Sequence, residues 1–225
     1  MRRLAPLLLV ACAQASVERS LRSGALVIFG ELHGTNEIPA WFGDVVAKAP
    51  RGAKVHVGLE LPGESGAIWS DPFQSGRTSA AMRALIERLH ALQVDVFFFD
   101  STARDRDGAM ADNISAARAK APGDLFLVLV GNLHARKKPG APWDPDVRWM
   151  ALRLAEREPR VMTFDARYAE GTAFICQGDT PGSCKVTKLR GVPEGSPHDG
   201  YDGTYWVGPI TASLPADSGR SPAQR

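Results

Sequence analysis

The sequence carries almost no surplus of either charge: 27 Lys and Arg stand against 25 Asp and Glu in 225 residues, a formal +2. Nothing in that balance draws nucleic acid or an acidic membrane surface to the molecule as a whole. Membrane-length apolar runs are missing too, and the N-terminal run from Leu4 to Ala11 falls well short of the roughly 20 residues that span a bilayer. No solenoid-type repeat is visible. Cysteine is scarce at three, and tyrosine is limited to Tyr168, Tyr201 and Tyr205. What remains, 44% hydrophobic and 23% charged residues, is ordinary globular composition and excludes a disordered or collagen-like chain. The length suits one large domain with short appendages.

The first fifteen residues read as a leader. Met1-Arg2-Arg3 supplies a positive start, Leu4 to Ala11 an apolar segment, and two processing patterns follow. Leu9-Val10-Ala11-Cys12 resembles a lipobox whose Cys12 receives lipid, while Ala13-Gln14-Ala15 fits ordinary signal peptidase. Both predict a periplasmic or extracellular protein, with any membrane attachment made through Cys12; the alternative is a cytosolic leader. Once Cys12 is lipidated or removed, Cys176 and Cys184 remain, close enough around Gly178, Asp179, Pro181 and Gly182 to close a disulfide-bonded hairpin. Two unpaired thiols are the other reading.

From residue 24 short apolar runs alternate with amphipathic ones. Strands are expected at Ala25–Phe29, Lys54–Glu60, Val94–Phe99, Leu125–Val130 and Val161–Phe164. Helices are expected at about Ile38–Ala47, Ser79–Leu92, Ala109–Lys120 and Pro145–Glu158. Near-continuous apolar strands separated by helices predict an α/β fold, a mostly parallel sheet with helices on both faces. After about residue 168 the Gly/Pro-rich texture predicts a small C-terminal antiparallel β extension from Thr172–Cys176, Lys185–Leu189 and Tyr205–Ile210. The domain spans about residues 20–215, and 216–225 reads as a disordered tail.

In an open parallel sheet, ligands bind beyond the carboxyl ends of the strands, and four of those ends are polar. The first reads Gly30-Glu31-Leu32-His33-Gly34-Thr35-Asn36-Glu37, the second ends in Glu60, the third in Asp100 and the fourth in Gly131-Asn132-Leu133-His134. The first and fourth share G-x-x-H. A strand order of 3-2-1-4-5, with strand two beside strand one, brings Glu31, His33, Glu60 and His134 together. Two imidazoles and two carboxylates are the parts of a water-activating site. Either a carboxylate orients His33 as general base, or His33, His134 and Glu60 hold a divalent metal. Glu37, Asn132, Asp107 and His198 are candidate substrate-binding residues. His56, inside a strand, and His90, on a helix, read as structural, and Arg104, Arg106 and Asp107 by themselves read as a solvated charge run.

These motifs, together with Arg106-Asp107 and Met110-Ala111 ahead of a helix, resemble the superfamily that contains erythromycin esterase, the ChaN haem-uptake lipoproteins and the Tiki/TraB proteases. The resemblance covers roughly residues 24 to 135. It implies an α/β fold with a cleft lined by the strand-end residues, and it brings Arg106 into the site to hold an anionic group. The esterase branch implies a His/Glu-activated water, the Tiki branch a metal-dependent peptidase. The ChaN branch implies a haem carrier without catalysis, with Tyr or His as axial ligand. The reading adopted is a hydrolase acting on an ester or amide bond of a small-molecule or peptide substrate, with His134 stabilising developing charge.

Overall fold

The computed structural model describes residues 16–63, 69, 76–158, 160–178 and 182–216. The expected leader with Cys12, and the expected tail beyond Ala216, lie outside the described residues. Six strands form one sheet, all of whose neighbours run parallel: β1 (Leu26–Glu31), β2 (Val55–Leu59), β3 (Asp95–Phe98), β4 (Leu125–Gly131), β5 (Val161–Arg167) and, last in the chain, β8 (Gly203–Trp206). Between β5 and β8 the chain forms an antiparallel hairpin, β6 (Gly171–Cys176) and β7 (Cys184–Leu189), separate from the main sheet.

Alternation of side chains along the strands divides the core in two. Val27, Phe29, Val57, Leu59, Leu127 and Leu129 face α1 (Glu37–Ala47) and α2 (Ala80–Ala91), whose buried Ile38, Phe42, Leu85 and Leu89 complete that layer. Leu26, Ile28, Phe126 and Val128 face α3 (Arg106–Ala119) and α4 (Met150–Arg157) through Met110, Ile114, Met150 and Leu154. Each such side chain adds about 1.5–3 kcal/mol on burial, and only helices on both faces can bury strands as apolar as β1 and β4. Ser79 caps α2 by accepting from the Met82 amide at 3.3 Å, so the helix starts where its apolar stripe does.

Four expectations are corrected. The sheet order is β3-β2-β4-β1-β5-β8, so strand two lies beside β4 and not beside β1. β4, buried over all seven residues, takes the interior place between β2 and β1, where both edges and both faces are covered. The third C-terminal run joins the main sheet as β8, parallel to β5, because Tyr205 carries its ring into the core against Phe29 and Trp41. Helix α3 begins at Arg106, three residues early, since Asp105 caps it by accepting from the Gly108 amide at 3.1 Å. Arg106 and Asp107 are therefore first-turn helix residues and not a solvated run. Helix α4 begins late, at Met150, whose amide donates to Asp107 Oδ1 at 2.7 Å.

One of the contacts that dock the hairpin on the rim of the sheet is made at Gly34. Gly34 (φ +71°) donates its N–H to Gly76 O at 3.1 Å and accepts from the Phe174 and Ser213 amides, each at 2.9 Å. A Cβ at Gly34 would collide with the Phe174 carbonyl. Gly52 has a similar φ of +83°, yet a Cβ there meets nothing within 4 Å. Gly34→Ala should therefore destabilise the protein by more than the roughly 1 kcal/mol that left-handed backbone alone exacts, and by clearly more than Gly52→Ala. Denaturant unfolding of the two variants checks this; equal losses would mean that the hairpin contact carries no weight.

Candidate active site

Each polar strand end delivers a side chain to one place above the sheet. Glu31, the last residue of β1, is 2% exposed and accepts from His33 Nδ1 at 2.9 Å through Oε1. His33 turns its other nitrogen, Nε2, to Glu60 Oε2 at 3.5 Å. Glu60, one residue past β2, is 3% exposed and lies across the end of β4, where its Oε2 accepts the Gly131 amide at 2.6 Å. The observed order makes this contact available, since β4 sits between the strands that carry Glu60 and His33. Gly131 is the residue between them. A Cβ on it would lie 2.9 Å from His33 Nε2 and 3.3 Å from Glu60 Oε2.

Glu60 Oε1 is held by Arg106 Nη2 at 2.6 Å and by Arg77 Nη1 at 3.4 Å. Asp100, past the end of β3, ties the two arginines together, accepting from Arg77 Nη1 at 2.7 Å and from Arg106 Nε at 2.8 Å. His134 stands behind Arg106. Its Nδ1 donates to Asp107 Oδ1 at 2.7 Å, which leaves Nε2 to accept from Arg106 Nη1 at 3.0 Å. Asp107 thereby fixes the tautomer of His134 while also starting α4.

These contacts set the protons. Burial by itself would raise Glu60, but His33 and Arg77 hold its carboxyl well below the ordinary 4.5. Burial by itself would lower His33, but Glu60 and Glu31 outweigh it and lift the imidazole from an ordinary 6.5 to about 10. At neutral pH His33 is an imidazolium between two carboxylates. In that form the ring donates from both nitrogens.

The cleft over this cluster has a volume of about 350 Å³ and is lined by Glu31, His33, Arg77, Gly131, Asn132 and, from the hairpin, Phe174 to Cys176. Cys176 and Cys184 face each other across β6 and β7 and are joined by a disulfide. Arg106, His134 and Asp107 do not line the cleft; their polar atoms are engaged beneath it. Glu37 is not in it either, since its carboxylate accepts the amide and hydroxyl of Thr211 at 2.8 and 2.6 Å and anchors the C-terminal segment. His198 is exposed on the loop before β8 and is not among the lining residues. His56 is buried with Asp95 and Asp124 on its two nitrogens, at 2.6 and 2.8 Å. Arg77 was not foreseen: it follows a stretch without periodicity, and no signal in the sequence marks it.

The donor set does not fit a divalent metal. Among the described residues no three His, Cys, Asp or Glu side chains are grouped to hold one. The guanidinium of Arg106 takes the place between Glu60 and His134 that a shared ion would need. A haem held by Tyr201 or Tyr205 would have to displace a hydrogen bond that each hydroxyl already makes. Tyr205 is buried and donates to Gly30 O at 2.8 Å, and Tyr201 donates to Asn132 O at 2.7 Å. Burial pushes all three phenols up, away from the ionised form.

No protein-family profile and no curated protein sequence matches this chain. Solved structures do. Erythromycin esterase EreC, in a variant in its open conformation, superposes with a TM-score of 0.58 at 12% identity over 79% of each chain. A succinoglycan biosynthesis protein gives 0.58 at 11% identity, covering 84% of this chain and 81% of its own. A Bacillus cereus protein gives 0.53 at 11% identity, covering 89% and 92%. Identities this low speak to the fold alone: this chain has the α/β fold of these three proteins.

Proposed function

We propose that the cleft hydrolyses an ester or amide bond by acid–base chemistry of Glu31 and His33. The observation that carries this reading is an imidazole, 28% exposed, facing a cleft and flanked by two buried carboxylates. His33 Nε2–H, only loosely engaged by Glu60 Oε2 at 3.5 Å, turns to the scissile carbonyl oxygen and stabilises the charge that develops there. Glu31, which also lines the cleft, takes the proton of the attacking water. His33 then protonates the leaving group, and exchange with water in the cleft returns a proton to His33 and removes the one held by Glu31. Glu60 holds His33 in its charged state; Arg106, Asp100, His134 and Asp107 hold Glu60. Arg77 and Asn132 contact substrate beside the reacting carbonyl.

The fold-level likeness to an esterase supports the class of reaction, and the cleft supports a modest substrate, since about 350 Å³ is at the small end for ligand sites. We further propose export to a periplasmic or extracellular compartment, with the Cys176–Cys184 disulfide as the supporting feature. Lipidation at Cys12 belongs to the same proposal.

On a panel of nitrophenyl esters and peptide anilides, His33→Ala and Glu31→Gln should each lower kcat/KM by about 10² to 10⁴ with the fold retained by circular dichroism. Gly131→Ala should cost about 10², because its methyl displaces the ring without removing any functional group. Unchanged rates in the first two variants, or no turnover of any panel member, would sink the proposal.

The pH dependence has a definite sign. A histidine raised from 6.5 to about 10 contributes stability that is complete below pH 6.5 and is lost as pH rises through about 10. The stability difference between the wild type and His33→Gln should thus shrink across that window, and kcat should fall on the same alkaline limb. Paired denaturation curves and a pH–rate profile test both; a rate that climbs through pH 7 as a base deprotonates would contradict the assignment.

A further inference from the structure

Among the described residues, the hairpin that walls the cleft leaves the Cys176 backbone amide without a backbone acceptor outside the ladder. In an antiparallel pair, alternate residues turn their N–H and C=O away from the partner strand. In β6 these are Thr172 and Phe174, whose amides go to Ile210 O at 3.0 Å and to Gly34 O at 2.9 Å. Cys176 is next in the series. It pairs with Cys184 across the ladder, so its side chain is fixed by the disulfide while its N–H and C=O continue the outward row. Beyond Gly34 that row meets the cleft, which Phe174, Ile175, Cys176 and Gly178 line on one side and Glu31, His33, Gly131 and Asn132 on another. The Cys176 amide has no backbone acceptor among the described residues outside the ladder.

The two edges of the hairpin differ in a way that fits a purpose. Exposed strand edges are commonly guarded by lysine, and the outer strand β7 carries exposed Lys185 and Lys188. The cleft edge of β6, Phe174-Ile175-Cys176, carries no charge at all.

We propose that the cleft binds an extended peptide by adding it to the open edge of β6 at Cys176, which carries the scissile amide across His33. This rests on the hydrolase reading above and narrows it to a substrate class. A ligand that satisfies an outward N–H and C=O at strand spacing is a main chain, and the apolar lining residues Leu32 and Ile175 would select its side chains. The disulfide holds the edge in its binding geometry before the ligand arrives.

The test uses the full chain, ¹⁵N-labelled, with acetyl-trialanine methylamide as the probe and its analogue N-methylated at the central amide as control. At saturating probe, exchange of the Cys176 amide should slow at least tenfold while Thr172 and Phe174 are unchanged, and the N-methylated analogue should bind at least about tenfold more weakly. An unaffected Cys176 amide, or equal binding of the two probes, would overturn the proposal. Peptide or ester turnover without Cys176 protection refutes this edge and spares the hydrolase reading; protection without turnover supports the edge and removes the hydrolase.

Discussion

A carboxylate taken out of water must be neutralised or surrounded by donors, and Glu60 is the carboxylate around which this site is arranged. At 3% exposure it collects the Gly131 amide, two guanidinium groups and the His33 imidazolium. Every neighbour has its own anchor: Arg77 and Arg106 on Asp100, Arg106 on His134, and His134 on Asp107. Removing one member of such a network leaves an uncompensated charge, which typically costs roughly 3–5 kcal/mol. The network therefore couples chemistry to stability. It also gives α3 and α4 a direct mechanical link to the cleft, since Arg106 and Asp107 open α3 and Asp107 begins α4.

Seen from Glu60, the sheet order follows a functional logic. With β4 between β2 and β1, a glycine at the end of β4 separates the carboxylate from the histidine by the width of one backbone. The same glycine donates the hydrogen bond that orients Glu60. A strand order with β2 against β1 would place those side chains side by side and leave no amide between them. Arg106 has a comparable double role. It supplies positive charge to Glu60 and Asp100, and it occupies the position in which a metal would otherwise be shared.

Much of this was legible in the sequence, for reasons that are local. Helix α1, helix α2 and strands β1 to β5 announce themselves through apolar spacing, and the polar residues just past the strands mark the binding edge without further information. Glu31, His33 and Glu60 could be named because strand ends in a parallel sheet share one rim. What escaped was nonlocal. Nothing in β4 states which strand it will separate, and Tyr205 looks like part of an extension until Phe29 and Trp41 are seen to receive its ring. Arg77 escaped because it belongs to no periodic segment. The charge of His33 escaped because it depends on two carboxylates, one two residues away and one twenty-seven, whose distances only the fold sets.

The proposed chemistry requires His33 to be an imidazolium at rest. Its ring nitrogens should be observed directly by ¹⁵N NMR of the full chain, followed between pH 6 and 11. The account predicts two protonated nitrogens at neutral pH and a titration near pH 10 that moves down sharply in Glu60→Gln. A neutral ring at pH 7.5, with one nitrogen bare, would contradict it and return His33 to the role of general base.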